Sequence, residues 1–176
     1  MKYREEIENS IRIVFSRLFE DKNKMDFVLS QGGFEKYFQF EVAAELSLSG
    51  SFVHVEGKHR SDVLFYDLDA PSAVIEMGAG FQSQPNHTKK PLNDYKSFEG
   101  LKGSCSDFSN AKFYSLMMLA EKIKGRELPK GCKQSGHLSK NAKDHIKEWE
   151  ASDFEVLLSE SYDGERLSLS VTLLSK

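Results

Sequence analysis

The chain has 176 residues, 39% of them hydrophobic and 29% charged, with a formal net charge of -3. That length suits one domain with a sizeable core, and the acidic balance excludes a chain-wide basic footprint for nucleic acid, although lysines cluster in the second half. No apolar run is long enough to span a bilayer. The N-terminal MKYREEIENS lacks the apolar stretch of a signal peptide, so the expected compartment is the cytoplasm, with Cys105 and Cys132 as free thiols.

The first predicted element is an amphipathic helix over 3–20, with Ile7, Ile11, Val14, Phe15 and Leu18 at helical spacing. Residues 21–24 are a polar break, and 25–31 fit no single pattern. After Gly32-Gly33 a second helix is predicted over 34–47. Phe34, Phe38, Val42 and Leu46 form its apolar stripe, and Tyr37, Glu41, Ala44 and Glu45 share an adjoining face.

Three strands follow. The first covers 52–56, with Val53 and Val55 on one face. The second covers 61–66, and the third 73–79. Between the last two, Asp67-Leu68-Asp69-Ala70-Pro71 is turn chemistry. Residues 81–88 then read as a polar loop. Pro91 opens a helix of about three turns that ends at Gly100 or Gly103. The run 111–120 is apolar without alternation, as in a strand covered on both faces.

The last third begins with a basic, turn-rich stretch over 121–134. A helix over 139–150 follows, with Ser139 as its cap and Ala142, Ile146 and Trp149 in one stripe. A hairpin joins 154–159 to 166–174 about Asp163-Gly164, its second strand alternating as a half-buried strand does. The expected fold class is α/β, a central mixed sheet flanked by helices with a C-terminal β-hairpin. Residues 1–33 would be a helical extension, 34–120 the core, and 121–176 the final helix and hairpin of one domain.

Two carboxylates stand where apolar residues would be cheaper. Asp62 opens the second strand, and Glu76 sits inside the third between Ile75 and Met77. A buried carboxylate must be paired, protonated or bound to a cation. Two of them on adjoining strands can lie side by side, and oxygen donors within reach of one another suit a hard divalent ion.

Asp62 in RSDVLFYD followed by Glu76 in AVIEMGAG resembles the PD-(D/E)xK nuclease superfamily, over roughly residues 34–120. The resemblance implies a restriction-endonuclease-like αβββαβ core and hydrolysis of DNA phosphodiesters. It implies Mg²⁺ (or Mn²⁺) held by Asp62, Glu76 and the Met77 carbonyl, and homodimers are common in that superfamily. It also carries over a glutamate from the preceding helix, here Glu41 with Glu45 in reserve; a solvated helix-face glutamate is the competing reading. The superfamily's lysine falls at Gly78 in this sequence. Lys58, on the side of Asp62 if 58–62 is extended, is the candidate replacement. Arg60 could hold Asp62 ionised, and the loop that follows offers Gln82, Gln84, Lys89 and Lys90 for phosphate or water. The alternative reading is a catalytically silent relative that binds nucleic acid or a protein partner.

Other chemistry is weaker. Cys105, Cys132, His137 and His145 match no compact zinc spacing. There is no P-loop or nucleophile elbow. His54 and His59 lie near the acidic pair in sequence, where exposed or structural roles compete with general-base chemistry.

Overall fold

The computed structural model describes residues 2–31, 34–48, 52–55, 61–67, 70–81, 86–128, 132 and 142–176. Helix α1 is Lys2–Leu18, α2 is Lys22–Ser30 and α3 is Phe34–Leu48. Strands β1 (Phe52–Val55), β2 (Val63–Asp67) and β3 (Ala70–Phe81) follow, then helix α4 (Asn86–Ser104) and strand β4 (Lys112–Lys122). Helix α5 (Ala142–Glu150) and strands β5 (Glu155–Asp163) and β6 (Leu167–Ser175) complete the chain.

The six strands make one mixed sheet in the order β1-β2-β3-β4-β6-β5. β3 and β4 are parallel, joined by the crossover through α4, and the other neighbours are antiparallel. The chain is therefore α/β, and β5 with β6 forms the C-terminal hairpin. Alternation along the strands sends Val63, Phe65, Ile75 and Met77 into one core with α1, α2 and α3. Leu64, Val74, Phe113 and Met117 enter a second core with Phe98 of α4 and Trp149 of α5. Among the described residues no helix is long and apolar enough to cross a membrane.

Several elements differ from the sequence reading. Residues 22–30, which cover most of the expected polar break at 21–24 and of the unassigned 25–31, are helical because Asp21 caps the Lys24 N–H at 3.0 Å and Met25 and Leu29 bury themselves. β3 starts three residues earlier than expected. Pro71 enters it at a register shift between Phe65 and Tyr66, where a missing N–H is tolerated. Pro91 does not open α4 but lies inside it, and 86–88, read as loop, are its first turn. Tertiary contacts hold that turn: the Trp149 indole N–H donates to the Thr88 carbonyl at 3.1 Å, and the Thr88 hydroxyl meets His145 Nδ1 at 2.9 Å. β6 is buried on both faces instead of one, because it runs between β4 and β5; Ser168, Ser170 and Thr172 are enclosed with its leucines.

Candidate active site

The register of β2 on β3 pairs Val63 with Ile75 and Leu64 with Val74. One step further along the ladder, Asp62 faces Glu76. The two carboxyl groups are near enough for Asp62 to raise the pKa of Glu76. Beyond Val63 the edge of β3 continues past β2, and side chains take its N–H groups. Asp62 Oδ2 accepts from the Met77 N–H at 2.7 Å, and Glu35 Oε2 accepts from the Ala79 N–H at 3.1 Å. The Asp62 carbonyl in turn accepts from the side-chain amide of Gln39, which is fully buried. Glu35 and Gln39, four residues apart on α3, thus face the acidic pair together.

Glu41 was the expected helix carboxylate, and the structure corrects this. It pairs with Arg17 at 3.3 Å, and Glu45 pairs with the same guanidinium at 2.9 Å. Six residues beyond Glu35, Glu41 is turned roughly 120° around the helix and ~9 Å along it. The α3 carboxylate beside the acidic pair is Glu35.

Gly78 explains itself by what crosses it. A Cβ there would lie 2.9 Å from Cδ and Cε of Lys90 and 2.7 Å from Met117 Sδ. The Lys90 stem runs from α4 across the bare backbone of β3, at the position where a lysine on the strand was expected. Its ammonium pairs with Asp94 Oδ2 at 3.0 Å. One step on, the His87 imidazole occupies the space a side chain at Gly80 would need. His87 Nε2 has no hydrogen-bond partner among the described residues. Burial, then His145 and Lys90, lower its pKa. Glycines at alternate positions of a strand mark such close approach.

The electrostatics are strained toward protons or cations. Burial first, then Asp62 and Asp94, push Glu76 up to about 8, against the pull of Lys90. Burial and Asp62 also raise Glu35. Burial raises Asp94 although Lys90 draws it down. For Lys90, burial alone would lower the pKa; Asp94, Glu35 and Asp62 outweigh it and the net direction is up. One ammonium is set among four acids.

Lys58, Arg60, His59, Gln82, Gln84 and His137 lie outside the described residues. Lys89 is exposed on α4. His54 is exposed on β1, with Phe52 and Tyr66 around it. Cys105 and Cys132 are free thiols. Among the described residues no three acidic, imidazole or thiol groups converge on one point as a ready-made metal cage. Asp62 and Glu76 are an oxygen-only pair short of positive charge, which fits a Mg²⁺ ion that takes one or two carboxylates and completes its shell with water and phosphate.

Comparison with protein-family models, with curated proteins and with solved structures returned no match.

Proposed function

We propose that this chain is a Mg²⁺- or Mn²⁺-dependent nuclease of the PD-(D/E)xK kind, acting on DNA phosphodiesters in the cytoplasm, with its lysine relocated from position 78 to Lys90. The observation that carries the reading is the Lys90 stem lying over Gly78 beside the Asp62–Glu76 pair. The order α3-β1-β2-β3-α4-β4, with β3 and β4 parallel, supports it as an αβββαβ core.

Asp62 and Glu76 would hold the metal. Met77 would add its carbonyl, because the N–H and C=O of one strand residue point to the same side, and its N–H already points to Asp62. The bound metal would supply Lewis acidity at the phosphate and lower the pKa of a water. Lys90 holds positive charge where the phosphate gains negative charge, and it orients the attacking water. Asp94 fixes the Lys90 rotamer. Glu35 and Gln39 hold β3 and Asp62 in register for the pair to form.

The test is cleavage of plasmid, linear and single-stranded DNA with Mg²⁺, with Mn²⁺ and with chelator. Activity should need the ion and should disappear in Asp62→Ala and in Glu76→Ala. Cleavage that persists in either variant removes the site assignment.

A further inference from the structure

We propose that the cavity between the start of α1 and the first residues of β3 and β4 is a binding site for a nucleoside monophosphate; this goes beyond the nuclease reading and does not rest on it. The cavity has a volume of about 640 Å³, inside the roughly 300–1,000 Å³ of small-molecule sites. Tyr3 and Arg4 of α1, Pro71 and Ser72 of β3, and Lys112 and Tyr114 of β4 line it. Ser72 and Glu76 are four residues apart on β3, ~13 Å at the rise of a strand, so the cavity is a separate place from the acidic pair.

Its walls are aromatic. Tyr3 is held edge-on to Phe65 of β2, with 5.0 Å between ring centroids and 62° between planes. Tyr114 is only 6% exposed, and it borders the cavity. Its hydroxyl has no hydrogen-bond partner among the described residues. Burial raises the Tyr114 pKa, although Arg4 draws it down, so the phenol keeps its proton and can donate. An enclosed hydroxyl without a partner is costly, and an acceptor on a ligand satisfies it.

Charge selects the sign of that ligand. Lys112 stands two residues before Tyr114, on the same side of β4. It is exposed and has no ion-pair partner among the described residues. Arg4 donates from Nε to Glu8 at 2.8 Å and from Nη1 to Glu155 at 2.9 Å, which leaves further N–H groups of its guanidinium fork. With Lys176, the lining holds three cationic side chains against the one carboxylate of Glu155, and that balance favours an anion. A phosphate suits Lys112 and the remaining guanidinium N–H groups. A base suits the rings of Tyr3 and Tyr114. Asn110, exposed at the rim, offers an amide donor and acceptor to a base edge. A site of this volume matches a drug-sized ligand, not a lone anion; base, sugar and phosphate together are of that size.

Calorimetric titration in chelator, with each of the four deoxynucleoside monophosphates, with thymidine and with inorganic phosphate, tests this. At least one monophosphate should bind about tenfold or more tightly than thymidine or phosphate alone. Lys112→Ala changes an exposed position and Tyr114→Phe removes a single oxygen, so both should fold. Each should weaken monophosphate binding about tenfold, and Glu76→Ala should leave it unchanged. Binding of no monophosphate, equal binding of thymidine or phosphate alone, or wild-type affinity in either cavity variant overturns the proposal. So does loss of binding in Glu76→Ala, which would place the nucleotide at the acidic pair. The titration needs neither metal nor cleavage, so its failure stays distinct from a failure of the Glu76→Ala cleavage test.

Discussion

Gly78 and Lys90 share one space, and that decides what substitutions at either can do. A methyl at position 78 meets Met117 Sδ at 2.7 Å and the Lys90 stem at 2.9 Å. Gly78→Ala is therefore expected to displace Lys90, lower cleavage, and cost about 1–3 kcal/mol of stability as overpacking does; single-turnover kinetics and urea melts check both. Unchanged kinetics would mean that the stem over the glycine has no part in the chemistry. Glu76 gives a pH signature. Its folded pKa, about 8, lies above the ordinary 4.5, so the folded state binds the extra proton. Stability is thus expected to fall as pH rises through that window. Urea midpoints in chelator should drop between pH 6 and pH 9, less so in Glu76→Gln. Added Mg²⁺ should recover part of the drop, because the cation replaces the proton. The acidic pair was legible in the sequence because a hairpin of two neighbouring strands, each carrying a carboxylate among apolar residues, can set Asp62 beside Glu76, and the register does so. Glu35 was not, since helix docking brings it in, and Lys90 was legible only as a phosphate-contact cation in a loop, not as a side chain laid over β3. The trace of that crossing was Gly78 itself, a glycine inside a strand where another chain segment passes close.

At the scale of elements, α4 seats on β3 through two side chains laid over two glycines, His87 on Gly80 and Lys90 on Gly78. A Cβ at position 80 would overlap the His87 ring. Gly80→Ala is expected to lift the start of α4, costing about 1–3 kcal/mol and reducing cleavage through the shifted Lys90. Combining it with His87→Ala should recover much of the loss, with a coupling of about 0.5–3 kcal/mol in a double-mutant cycle. Strict additivity would mean that the two residues do not meet. This seating also explains the misplaced start of α4. Pro91 locally suits the first turn of a helix, but Thr88, His87 and Trp149 hold a turn before it through contacts that no local pattern encodes.

Across the whole molecule, the sheet carries the site at the point where β3 outruns β2, and the hairpin β5–β6 extends the same sheet on the far side. Buried Asp26 of α2 ties that hairpin in, accepting from the N–H groups of Arg166 and Leu167 at 3.2 and 3.1 Å. Asp26→Ala leaves both donors unsatisfied and is expected to cost about 1–3 kcal/mol. Urea unfolding should show it as a lower midpoint, and an unchanged midpoint would contradict the tie. The layered α/β plan and the C-terminal hairpin were legible from apolar periodicity. The full burial of β6 was not, because sheet order depends on long-range pairing. The most direct measurement is single-turnover DNA cleavage by wild type, Lys90→Ala and the double variant Gly78→Lys/Lys90→Ala. Loss of about a hundredfold or more in Lys90→Ala, with partial recovery when the lysine is returned to the strand, is the expected result. Full activity in Lys90→Ala, or loss in Lys58→Ala instead, would contradict the relocation of the lysine to α4.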